Sequence, residues 1–205
     1  MRTKLTHTVA VALIVATAAL AAGCGEFIRN DRAPVIAVIT ELVAGAGSNP
    51  QSFAGTLRSD VRTNGSIFDD MGRVTMTLVL KDPGIPSVTN VPSPINTVTI
   101  SRYRVSFRRS DGRNTPGVDV PQPFESALTF TVAAEGTSSG TFELIRHTSK
   151  VEAPLGNLAG GLVIISTIAD VTFFGRDQAG NNVSTTGSIG VLFGDFADPS
   201  SGGGT

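Results

Sequence analysis

Arg102-Tyr103-Arg104-Val105-Ser106-Phe107-Arg108 is the stretch that decides the fold. Tyr103, Val105 and Phe107 occupy every second position, and Arg102, Arg104, Ser106 and Arg108 fill the alternate ones. Successive side chains of a β-strand point to opposite faces, so the pattern describes a strand with one buried face and one wet face. Asp111-Gly112 follows closely and accepts a positive φ at low cost, as does Asn64-Gly65 earlier in the chain. Both pairs mark reversals of direction.

Outward from this strand the apolar stretches are rich in β-branched residues or alternate with period two, and each is bounded by Gly, Pro, Asn or Asp. Strands are expected at 35–43, 53–62, 74–80, 97–108, 127–133, 141–148, 162–175 and 183–193. The last two flank Asp177-Gln178-Ala179-Gly180-Asn181-Asn182 and read as a terminal hairpin. Residues 82–94 carry Pro83, Pro86, Pro92 and Pro94 and read as a loop insertion. With 23 glycines and 11 prolines in 205 residues, the chain has turn residues for many short connections. Tryptophan is absent and Tyr103 is the only tyrosine, so phenylalanine must supply the rest of an aromatic core. No repeat period runs along the chain.

Asp177-Gln178-Ala179-Gly180-Asn181 resembles the Asp-x-Ala-Gly-Asn turn between the closing strands of bacterial immunoglobulin-like and fibronectin-III-like domains. Tyr103 and Val105 followed by Asp111-Gly112 resemble a strand and turn in the middle of such domains. The resemblance covers about a third of the chain. It implies an all-β fold, a single antiparallel immunoglobulin-like β-sandwich of about eight strands over residues 34–198, and it implies no activity. The chain exceeds the ~100 residues of a standard sandwich of this type, so the excess belongs to loops or added strands.

The N-terminus has the three zones of an export signal: Arg2 and Lys4, an apolar run over 9–20, and the small residues Ala21-Ala22-Gly23. The run is shorter than the ~20 residues a membrane-spanning helix needs, and no basic stop-transfer flank follows it. Leu20-Ala21-Ala22-Gly23-Cys24 resembles the lipobox of bacterial lipoproteins, with Ala21 where leucine is commonest. The resemblance implies a signal peptide over 1–23, cleavage before Cys24, and lipid on that cysteine. Cys24 is the only cysteine, so lipidation would remove disulfide, thiolate-metal and cysteine-nucleophile chemistry together. Residues 24–33 form a short tether, and 25–33 span at most ~30 Å when extended. Residues 199–205, Pro-Ser-Ser-Gly-Gly-Gly-Thr, are expected to be a disordered tail.

Losing Arg2 and Lys4 takes two positive charges from a chain of formal net charge −1, leaving −3. Such a surface lacks the basic excess that drives nucleic-acid binding, so no nucleic-acid partner is expected. Gly136-Thr137-Ser138-Ser139-Gly140 matches G-x-S-x-G, but that motif works on a strand-to-helix elbow, and here strands are expected on both sides. A hairpin turn explains it. His147, placed by the pattern on a strand, is the only histidine after residue 23; it is read as packing or solvated rather than catalytic. An acidic pair such as Asp70 with Asp111 or Glu125 would be needed for a hydrolase acting on an envelope glycan, and no spacing brings two of them together.

Asp69-Asp70, Asp177 with Asn181 and Asn182, and Asp195 with Asp198 offer oxygen ligands suited to calcium, but none follows EF-hand spacing, and turns favour the same residues. Asn64-Gly65-Ser66 and Asn182-Val183-Ser184 are likewise read as turns. No metal or cofactor is expected. Arg102, Arg104 and Arg108, with Arg109 and Arg113 nearby, are the candidate binding residues for an anionic glycan or headgroup. The competing reading, favoured from sequence alone, is a solvated sheet face paired with cross-strand acids such as Glu143 or Glu152. The expectation is a non-enzymatic lipoprotein of the bacterial envelope, held on a membrane by Cys24 and binding an envelope protein or anionic glycan. A scaffold subunit of an envelope complex is the alternative. Gly25 stands where an aspartate commonly retains lipoproteins on the inner membrane, so the outer membrane is preferred.

Overall fold

The structure, a computed structural model, describes residues 32–85 and 87–196. Residues 1–31, which hold the expected signal peptide and Cys24, and residues 197–205 lie outside the described residues. All eight expected stretches contain a strand. In chain order the strands are β1 (Val35–Gly45), β2 (Thr56–Asp60), β3 (Asp70–Leu80), β4 (Gly84–Ile85), β5 (Val88–Thr89), β6 (Val98–Arg108), β7 (Phe124–Val132), β8 (Ser138–Ile145), β9 (Ile165–Asp177) and β10 (Asn182–Gly194). Between β8 and β9 lie one short α-helix, α1 (His147–Val151), and the 3₁₀ turn Leu155–Leu158. Among the described residues no helix is long and apolar enough to cross a membrane.

Two sheets carry the fold, which is an all-β sandwich. One has the order β1-β3-β8, all antiparallel; the other runs β2-β10-β9-β6-β7, and its parallel β2–β10 pair corrects the expectation of a wholly antiparallel sandwich. Period-two alternation explains why they pack. On β3, Val74, Met76 and Leu78 face inward, and on β9 Ala169, Val171 and Phe173 do so. At the centre the rings of Tyr103 and Phe142 lie 5.0 Å apart and those of Phe142 and Phe173 5.3 Å apart. The Tyr103 hydroxyl donates to the Glu143 carbonyl across the sandwich at 3.0 Å, which satisfies its polar tip inside the core. The register of β6 shifts between Ile100 and Arg102. That bulge lets Ile100 and Tyr103, three positions apart, both face inward.

Gly72 is required by this packing, because a Cβ there would lie 2.5 Å from the Phe142 ring. Gly72→Ala is expected to cost about 1–3 kcal/mol through overpacking, read as a lower urea midpoint with unchanged m-value. An unchanged midpoint would show that the ring moves aside freely.

Four further expectations need correction. The strand expected over 141–148 stops at Ile145, and His147 opens α1. The backbone N–H of His147 donates to the Asp69 carboxylate at 2.6 Å, and the chain then turns so that Leu155 and Leu158 enter the core. Secondly, Leu162, Val163 and Ile164 precede β9 and are exposed. Thirdly, the proline-rich insertion holds the small β4–β5 hairpin. Lastly, residues 133–137 are no hairpin turn; they cross from β7 in the larger sheet to β8 in the smaller one. The terminal β9–β10 hairpin and the Asn64-Gly65 turn are as expected, both residues of that pair having positive φ.

Strand direction gives the sandwich two distinct ends. The chain enters where the Pro34 carbonyl accepts the Lys81 N–H at 2.9 Å, and Ala33, Val35 and Lys81 share a small cleft with Asn182 and Val183. This entry end therefore carries the connection 81–97, the crossing 133–137 and the β9–β10 turn. The far end carries α1, the exposed 162–164 segment and the β6–β7 loop.

Candidate functional site

The outer face of the larger sheet is a cross-strand polar ladder. Arg102 on β6 donates from Nη1 to Glu125 Oε2 on β7 at 2.8 Å, and its guanidinium lies 3.8 Å from the Phe174 ring centroid on β9. Arg104 reaches the other oxygen of Glu125 at 4.0 Å. Arg108 pairs instead with Asp170 on β9, at 2.7 Å from Nε, and Ser188 on β10 donates to the same carboxylate. Partial burial works against ionisation of Asp170, but the bonds from Arg108 and Ser188 outweigh it and hold its pKa below the usual carboxylate value. The face thus gathers Arg102 and Arg104 around Glu125 and places Arg108 toward the far end. Its acids are Glu125 and Asp170; Glu143 pairs with Arg146.

Beside Arg102 lies an open groove of about 750 Å³, lined on β6 by Thr99 and Ser101, on β9 by Phe174 and Arg176, and on β10 by Asn182 and Ser184. The bare backbone of Gly175 helps form its floor. Hydroxyls, an amide and two guanidinium groups give it many hydrogen-bonding positions. A guanidinium carries five N–H donors, and the Glu125 ion pair occupies one of Arg102's. Arg109 and Arg113 converge on Asp111, and the hydrogen bond from Arg113 leads in holding the Asp111 carboxyl down at about 2. That cluster fastens the β6–β7 loop.

The other candidates fall at separate places. Ser138 and Ser139 open β8, where Ser138 accepts the Ala133 N–H and Ser139 meets the Thr75 hydroxyl at 3.0 Å. His147 Nδ1 lies 2.8 Å from Asp69 on the exposed far end. Burial alone would raise the Asp69 pKa, but bonds from the His147 backbone and ring, with the charges of His147 and Lys150, hold it below its usual value. Asp177 folds its own turn: Oδ1 accepts the N–H groups of Ala179 and Asn181, and Oδ2 accepts the Asn181 amide. Asp195 accepts the Gly160 N–H, while Asp198 lies outside the described residues. Among the described residues, no three His, Cys, Asp or Glu side chains group as a metal site would require.

One cluster escaped the sequence reading. Asp70 and Lys150 form an ion pair at 2.9 Å with both side chains 1% exposed. Ser59 donates to the same Asp70 oxygen at 2.6 Å and the Gly47 N–H to the other at 2.8 Å. Burial raises the Asp70 pKa despite these partners. The Asp69-Asp70 doublet was the available signal: Asp70 opens β3 and faces inward, while Asp69 precedes the strand. Nothing local points to Lys150.

Searches against family models and against curated proteins give no match to this chain.

Proposed function

We propose that this chain is a lipid-anchored envelope protein whose immunoglobulin-like sandwich binds an anionic glycan in the groove beside Arg102. The groove itself carries the reading, because it combines guanidinium groups with hydroxyl and amide partners on a rigid sheet. The strand order supports the immunoglobulin-like assignment. Such domains pair two sheets of the kind seen here, with a bulky aromatic residue on the central strand of one sheet, the position taken by Tyr103 on β6. The domain would run over 34–198. Leu20 to Cys24 supports lipidation at Cys24, and Gly25 supports the outer membrane.

The test is an anionic-glycan array probed with wild type and with Arg102→Ala, which removes one of the groove's guanidinium groups. Charge-assisted bonds contribute about 1.5–3 kcal/mol each, so the variant should bind roughly 10–100-fold more weakly. Its fold should be intact, because exposed ion pairs contribute at most about 1 kcal/mol. Equal array signals from the two proteins would exclude this groove as a glycan site.

A further inference from the structure

We propose that the connection between β3 and β6 is a second membrane contact, which seats the entry end of the sandwich on the bilayer that holds Cys24. The inference rests on the lipid-anchor reading. Residues 25–33 span at most ~30 Å. They enter the fold at Pro34, whose carbonyl is bonded to Lys81 at the root of this same connection. The anchor and the loop therefore share one end of the molecule.

At that end the loop turns its apolar residues outward. Ile85, Val91 and Ile95 are 62%, 70% and 66% exposed. Local order produces this arrangement: Ile85 belongs to the β4–β5 hairpin, and Ile95 to the 3₁₀ turn Pro94–Asn96. In that turn the buried Asn96 side chain accepts the Ser93 N–H at 2.8 Å, so the polar residue faces in and the isoleucine faces out. The cross-strand pair Ile36–Val79 is also exposed, close to the same end on the outer face of the smaller sheet. Five exposed aliphatic side chains at one end of the molecule give that end an apolar surface for contact. A tether of at most ~30 Å keeps this end within reach of the lipid, which makes the headgroup–acyl boundary the occupant that fits.

The test uses full-length lipidated protein in phosphatidylcholine vesicles containing nitroxide-headgroup lipid. Val91→Cys, and Leu162→Cys at the far end as control, receive a polarity-sensitive fluorophore; with Cys24 acylated, each variant has a single free thiol. Leu162 is 99% exposed, so its label reports the solvent side. The expected result is roughly twofold or greater quenching at residue 91 and none at residue 162. Adding Ile85→Asp/Ile95→Asp should abolish the quenching at 91. Intact mass reads the anchor separately. Diacylglycerol on Cys24 with an unquenched label at 91 overturns the loop contact alone, whereas a bare Cys24 overturns the anchor reading and this inference with it.

Discussion

Lys150→Met is expected to lose about 3–5 kcal/mol of folding stability at neutral pH, because it leaves the Asp70 carboxylate sealed in the protein without its cation. Lys150 on α1, Asp70 on β3, Ser59 on β2 and the Gly47 N–H meet at one buried point, so the loss would loosen the far end of the sandwich. In the variant, burial pushes the Asp70 pKa further above its ordinary value of 3.8, since the attraction of Lys150 is gone. The folded state then holds a proton that the unfolded state has released. A raised folded pKa gives stability that is complete below the unfolded value and lost as pH rises through the folded one. The deficit relative to wild type should therefore shrink as pH falls toward 4 and grow toward neutrality. Urea denaturation of both proteins across that range measures it, and a pH-independent deficit would contradict a buried charge. Asp70→Leu/Lys150→Met removes both charges and should recover most of the loss, as replaced buried ion pairs commonly do.

Phe173→Ala is expected to cost about 3–5 kcal/mol, since the ring is fully buried and touches both other central aromatics. For a domain of this size that corresponds to a melting temperature lower by roughly 6–20 °C. Phe174 supplies the internal control. It is the next residue on β9, points to the opposite face and lies under Arg102. Phe174→Ala should cost only about 1 kcal/mol, mostly the cation–π contact. Similar melting shifts for the two variants would mean that β9 is not seated in the register described.

Alternation made much of this fold legible in advance. Tyr103, Val105 and Phe107 had to lie on one face, and that face is the core. The same rule failed across Ile100–Arg102, where the bulge adds a residue and reverses the sense of in and out. It failed again after Ile145. Leu155 and Leu158 are short apolar plugs without period, and only their fit against the sheets makes them core. At the candidate site the arginine row was legible as a face, but its partners were not. Glu125 and Asp170 meet the arginines through pairings of β7 and β9 with β6, which no spacing along the chain encodes.

The sequence by itself determined which side chains share a strand face and where the chain must turn, because both follow from backbone geometry over a few residues. Tertiary structure alone decided which strands are neighbours, that Asp70 meets Lys150, and that the groove and the proline-rich loop lie toward the entry end. Those outcomes depend on burying two sheet faces against each other, a free energy that belongs to the whole sandwich and to no single segment.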